Sequence, residues 1–271
     1  MASIRREYNL DKPYPVQYFL YVGKLLRGDL GRSYRQRLKV TEIILDRLPK
    51  TARLTVAAMI IAISVGVIAG IISAVKQYSL IDGVVMVGSL LGVSTPVFWS
   101  GMMLILVFSS VLHDQIPLIK YLPRLPISGY GGGDLRYLIL PAAALGLLSM
   151  GYIARMTRSS MLEIIRQDYV RTARAKGLAE RIVIYRHTLK NALIPVATVL
   201  GLTFADLLTG APLTESVFAW PGMGRAIVAA VQVRDLPVVM GISLFFALIY
   251  IFVNLIVDIS YAYLDPRIRY D

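Results

Sequence analysis

Residues 54–75 carry no charged side chain, and residues 84–112 repeat that pattern over a longer stretch. A helix needs about 20 apolar residues to cross a hydrocarbon layer roughly 30 Å thick. Three further stretches meet or nearly meet this requirement: 137–154, 191–213 with Asp206 as its one acidic or basic residue, and 236–257. Buried helices of a large soluble protein rarely stay free of charge for so long. Only 17% of the 271 residues are charged, against roughly 25% in ordinary soluble domains. The sequence therefore predicts an all-α, polytopic transmembrane helical bundle with five visible spans.

These spans have the features of helices packed on one another. Gly66 and Gly70, then Gly88 and Gly92, are small-xxx-small pairs that let helix backbones approach closely. Pro96 and Pro141 each delete a backbone hydrogen bond inside a span, which neighbouring helices or a watery cavity must offset. Asp206 is the costliest residue, because a carboxylate at mid-membrane needs a cavity or a partner. Two readings stay open for it: a position near a helix end, or a lining role in a translocation path.

Charge addresses topology. Residues 155–190 hold nine Lys and Arg against three acids, which the positive-inside rule places in the cytoplasm. Five spans then put the short 76–82 turn and the 263–271 tail on that same side, with residues 1–50 outside. Residues 1–50 nevertheless carry eleven Lys and Arg against five acids, so the two basic regions compete for one compartment. The net charge of +12 belongs to membrane-facing loops; no aromatic-interleaved basic patch suggests nucleic acid.

Several function classes are disfavoured. No G-x-x-x-x-G-K-[ST] loop is present to grip ATP, and the glycines of 131–133 and of 222–224 lack the Lys and Ser/Thr that should follow. No cysteine and two histidines, His113 and His187, leave no metal cluster and no disulfide. No catalytic constellation is legible, so energy must come from a partner or from a gradient.

The loop after the third span holds the most information. Met161, Leu162, Ile165, Tyr169 and Ala173 fall on one side of a helix. Asp168 suits an N-cap and Gly177 a left-handed terminus. Between them, residues 169–176 make about two turns, roughly 12 Å long. Such a helix suits the groove of a soluble partner, and its basic residues suit an anionic lipid surface equally well.

The string Asp168-Tyr-Val-Arg-Thr-Ala-Arg-Ala-Lys-Gly177, followed by Arg186-His-Thr-Leu-Lys-Asn-Ala-Leu-Ile-Pro195, closely resembles the EAA loop of the dipeptide/oligopeptide/nickel family of ABC importer permeases. The Glu-Ala-Ala-x-x-x-Gly pattern stands here as Arg171-Thr172-Ala173-x-x-x-Gly177. Further matches run along the chain in family order: Gly28-Asp-Leu-Gly31-Arg-Ser, Arg47-Leu-Pro-Lys-Thr51, Ser94-Thr-Pro96-Val-Phe98-Trp99, Glu215-Ser-Val-Phe-x-x-Pro221-Gly-Met-Gly224, Arg234-Asp235-x-Pro237 and Leu264-Asp-Pro-Arg-Ile-Arg269. Within that family the chain is similar to the B-type permease.

The resemblance implies a type I, MetI-like importer fold, with residues 51–262 as the transmembrane domain. It implies a second homologous permease, two ABC ATPase subunits that hold the ATP and Mg, an extracytoplasmic solute-binding protein, and no cofactor bound by this chain. It assigns ATPase coupling to Asp168, Tyr169, Arg171, Thr172, Ala173, Arg174, Ala175, Lys176 and Gly177. Pro96, Asp206 and Glu215 are the candidate path residues. Family members carry a first transmembrane helix before a segment like Leu10-Asp-Lys-Pro13; here that segment stands at the N-terminus, so the resemblance implies a missing first helix. The alternative is a gradient-driven transporter or channel, which would leave the EAA-like loop unexplained.

Overall fold

A computed structural model describes residues 12–108, 124–209 and 211–264. Leu10, His113 and the terminal Asp265-Pro-Arg-Ile-Arg269 stretch lie outside these residues. Helix α1 (Tyr14–Leu26) precedes α2 (Val40–Val75), α3 (Leu80–Ser94) and α4 (Val97–Phe108). Next come α5 (Arg136–Ile165) and α6 (Asp168–Ala175). A helical turn at Glu180–Ile182 and a π-helical stretch at Val183–Leu189 then lead into α7 (Lys190–Leu208). The last elements are α8 (Pro212–Val217), α9 (Met223–Gln232) and α10 (Leu236–Leu264). No strand occurs among the described residues, where Arg32 and Lys39 form an isolated bridge.

Four helices are long and apolar enough to cross a membrane, five if the bent pair α3–α4 is one span. That pair departs from the straight rod expected over 84–112: its two halves meet at 105°. The cause is local. Pro96 has no N–H and disfavours helical backbone in the residue before it, and Thr95 is accordingly extended at φ −85°, ψ 126°. The Pro96 carbonyl then accepts from the amides of Trp99 and Ser100, starting α4 in a new direction.

The first span also begins earlier than its apolar run. Helix α2 has 36 residues, with Pro49 inside it, and runs about 54 Å. Asp46, Arg47, Pro49 and Lys50 conceal this in the sequence. The early turns form because Val40, Ile43 and Ile44 bury against Met223, Ala230, Val238 and Ile242. Residues 40–50 and the first span therefore share one helix.

Helices α2 and α5 form the central contact. A Cβ on Gly66 would lie 2.9 Å from the Met150 carbonyl oxygen, and one on Gly70 would lie 2.6 Å from that of Ala154. Both glycines of this pair therefore sit in a backbone-close helix crossing. The second pair is used by half: Gly92 faces the Leu147 carbonyl, whereas Gly88 meets open space. The closest approach between α3 and α5 is instead at Gly151, whose Cβ would stand 2.6 Å from the Ser89 carbonyl oxygen.

Candidate functional site

Helix α6 carries the expected coupling segment, one residue earlier than its pattern suggests. Asp168 is its first residue; Gln167 occupies the N-cap and makes no side-chain capping bond. The Asp168 carboxylate still stands in the first turn, where negative charge favours the helix dipole. Its C-terminus closes as a Schellman motif. The Gly177 amide donates to the Arg174 carbonyl at 2.9 Å and the Leu178 amide to that of Ala173 at 3.4 Å. Gly177 sits at φ +74°, the left-handed region where glycine avoids a Cβ penalty.

The buried face of α6 is not the one that continuous helix periodicity predicts. Helix α5 ends at Ile165, and Arg166 and Gln167 break the register. Val170 and Ala173 therefore turn inward, against Val183 and Ile164. Tyr169, expected on that face, is exposed. Asp168, Arg171, Thr172, Arg174, Ala175, Lys176 and Gly177 are exposed as well, leaving Ala173 as the buried member of the expected set.

Two polar links join α6 to the helix that follows. The Tyr169 hydroxyl accepts from Asn191 Nδ2 at 2.8 Å and donates to the His187 carbonyl at 3.4 Å. Arg174 donates Nε to Glu180 Oε2 at 3.1 Å and Nη2 to Oε1 at 2.6 Å. Glu180, His187 and Asn191 all belong to the helical stretch that becomes α7. Displacement of α6 is thus communicated to a spanning helix by direct contact.

Sequence reasoning missed the lock beside this surface. Asp82, at the start of α3, is 5% exposed and accepts a bidentate pair from Arg158 on α5, Nε at 2.7 Å and Nη2 at 2.8 Å. Ser73 and the Tyr78 amide complete its shell. The lock places the 76–82 turn and the end of α5 together, the same-side arrangement that the charge pattern implies. Asp82 looked like a flank because only the fold brings Arg158, 76 residues away, to it.

The three path candidates do not converge through any hydrogen bond among the described residues. Pro96 is exposed at the α3–α4 bend, and Asp206 is exposed in the last turn of α7. Glu215 differs: it is fully buried, which removes it from any open surface of this chain. Thr51 donates to its Oε1 at 2.8 Å and the Arg225 amide to its Oε2 at 2.8 Å. Burial pushes its carboxyl above the ordinary value; these donors and the charge of Arg47 oppose that shift only in part. Gly222 is required beside it, since a Cβ there would lie 2.2 Å from Oε1. The family-like motif 215–224 therefore builds a structural knot, sealed by Trp220, whose Nε1 donates to the Lys50 carbonyl at 3.1 Å.

A related lock holds the N-terminal motif. Asp235 is 2% exposed and accepts from the Ser33 hydroxyl and from the Tyr34 and Arg35 amides. The motifs around residues 28–33, 47–51, 215–224 and 234–237 thus meet where α2 and α10 begin and α7 ends. Helix α6 lies at the opposite end of those spans.

Residues 66–270 match a family model described as the binding-protein-dependent transport system inner membrane component. The dipeptide transport system permease protein DppB of Alkalihalophilus pseudofirmus is 46% identical over 286 residues, covering 100% of this chain and 86% of that protein. The di/tripeptide transport system permease protein DppB of Pseudomonas aeruginosa is 46% identical, covering 99% of this chain and 85% of that one. Two solved structures share the fold. One is an amino acid ABC transporter with histidines: TM-score 0.61, 16% identity, 82% of this chain and 94% of that chain. The other is the MetNI methionine ABC transporter in inward-facing conformations: TM-score 0.64, 15% identity, 83% of this chain and 97% of that chain.

Proposed function

The chain belongs to the family of binding-protein-dependent transport system inner membrane components, and from that membership we propose that it conducts di- or tripeptides and is driven through helix α6. It is the multi-pass membrane permease of an ABC importer, working with ATPase and solute-binding partners. The substrate class rests on the relatives named for dipeptide and di/tripeptide transport, which align with nearly the whole chain. A zwitterionic peptide needs such a route, because each unpaired polar group costs several kcal/mol in hydrocarbon.

The observation that carries the coupling role is an exposed, capped helix clamped to a spanning helix. An ATPase cleft receives the exposed face of α6, residues 168, 169, 171, 172 and 174–177. Val170 and Ala173 hold the helix from behind. When two ATPase subunits close on ATP and Mg, α6 moves, and the Tyr169–Asn191 and Arg174–Glu180 links pass that motion to α7. A second, homologous permease supplies the other half of the path, and alternating access follows from the two halves rocking against each other. Asp206 and Pro96 are the residues of this chain proposed to face that path. In this arrangement residues 155–190 and the 263–271 tail are cytoplasmic, and residues 1–50 are extracytoplasmic.

The chain contains no cysteine, so single-cysteine variants need no prior substitution. Thr172→Cys should react with a membrane-impermeant maleimide only in inside-out vesicles and should cross-link to an ATPase subunit in the assembled complex. Labelling from outside intact cells would refute the assignment of α6. Proteoliposomes holding the four-subunit complex should take up labelled dipeptide when binding protein and ATP are both supplied. ATP turnover without peptide movement would refute the substrate class.

A further inference from the structure

At the end opposite α6, a cleft of about 720 Å³ lies between the first turns of α2, helix α9 and the loop before α10. Its lining includes Arg35, Arg47, Arg225 and Asp235 over an apolar floor that includes Ile43 and Val238. Arg35 and Arg225 are exposed, and the Arg47 side chain is 31% exposed. The one acid in this lining, Asp235, is spent on Ser33 and two backbone amides. Asp46 contacts Arg47 at 3.3 Å but also binds Lys50 at 2.7 Å. Glu215 is closed off inside its own knot. The cleft therefore presents an excess of guanidinium groups to solvent.

This excess extends to the surrounding surface. Residues 12–53 carry ten Lys and Arg against three Asp and Glu. Positive charge retains short segments in the cytoplasm during insertion, so a basic face on the outside runs against topogenesis. A use on that side accounts for its presence. From the proposed function we infer that this cleft receives a carboxylate side chain from the docked solute-binding protein, and that the basic face steers that protein onto the permease.

Position favours a soluble protein over lipid headgroups as the occupant. Arg47 stands seven residues before the charge-free run of α2 begins at Leu54, which is about 10 Å along the helix. The headgroup zone is only about 5–8 Å deep on each side. Arg35 and Arg225 belong to elements outside the spanning helices. Guanidinium groups suit the task because they grip carboxylates in a bidentate manner.

The test uses the assembled transporter in phosphatidylcholine nanodiscs, titrated with its fluorescently labelled solute-binding protein. Charge pairing at an interface rim sets association rate and salt dependence. Arg35→Gln should weaken binding about fivefold, Arg35→Glu more, and raising salt should weaken the wild type more than either variant. The Arg225 Nη1 also holds the Ala219 carbonyl at 2.7 Å, so Arg225→Gln is read beside its melting temperature. The Arg35 guanidinium has no hydrogen bond or ion pair to another described residue, so its variants carry the test if Arg225→Gln unfolds. Binding and salt slope equal to wild type in the Arg35 variants would overturn the site. Loss confined to nanodiscs containing phosphatidylglycerol would assign the cleft to lipid instead. A wild-type complex that binds no solute-binding protein would refute the permease reading itself.

Discussion

Gly177 offers a graded test of whether α6 acts as a rigid lever. A Cβ at this position meets nothing within 4 Å, so space sets no limit there. The backbone does, because φ is +74°. Alanine in that region costs about 1–2 kcal/mol, whereas asparagine visits it with less penalty. Proline fixes φ near −65° and deletes the donor that binds the Arg174 carbonyl at 2.9 Å, a loss of about 3 kcal/mol or more. With about 1.4 kcal/mol per tenfold, Gly177→Ala shifts the balance between capped and frayed α6 by roughly 5- to 30-fold. Gly177→Pro shifts it by more than a hundredfold. Fraying frees Ala173 and loosens the Arg174–Glu180 pair, so the lever slips. Peptide uptake per ATP hydrolysed, measured in proteoliposomes, should therefore fall in the order Gly, Asn, Ala, Pro, with the protein still inserted. Equal damage from Ala and Pro would show that something other than backbone conformation limits the site. Full coupling in Gly177→Pro would refute the lever.

Breaking the Asp82–Arg158 lock by Arg158→Ala leaves a buried carboxylate uncompensated, at a cost of about 3 kcal/mol; replacing both residues by leucine should recover most of the melting temperature in detergent. Gly70→Leu must push α5 away, because its Cβ starts 2.6 Å from the Ala154 carbonyl oxygen and from Thr157 Cβ. The expected result is loss of folded, extractable protein, whereas Gly88→Leu, with open space around it, should express normally. Glu215 supplies a pH dependence. Its folded carboxyl titrates above its unfolded value, so the folded state holds the proton more tightly, and this group's contribution to stability declines as pH rises through that interval. Glu215→Gln should remove that slope while lowering stability throughout, because its amide nitrogen cannot accept from Thr51 or from the Arg225 amide.

Helix α6 shows how far sequence pattern reaches. Its existence, its length and its glycine terminus were legible, because amphipathic spacing and a left-handed stop are local properties. Its inward face was not, because the break at Arg166 and Gln167 rotates everything after it. The expected face included Tyr169; the structure buries Val170 and Ala173 and exposes Tyr169, which then becomes available to clamp Asn191. Glu215 was misread for the opposite reason. A carboxylate in a family-like motif near a span suggested a path residue, yet Thr51 and the Arg225 amide hold it inside the protein.

What the sequence alone determined was the solvent. Runs of 18 or more residues without charge demand hydrocarbon, and in hydrocarbon a backbone must satisfy its own hydrogen bonds, so helices follow. The absence of a phosphate loop and the EAA-like string likewise rest on residues adjacent in the chain. What only the tertiary structure decided was which polar residues are paired. Asp82 with Arg158, Glu215 with Thr51, Asp235 with Ser33 and Tyr169 with Asn191 join residues from 22 to 202 positions apart. Sequence separation carries no information about such meetings; the helix crossing at Gly66 and Gly70 and the bend at Pro96 set the distances that make them possible.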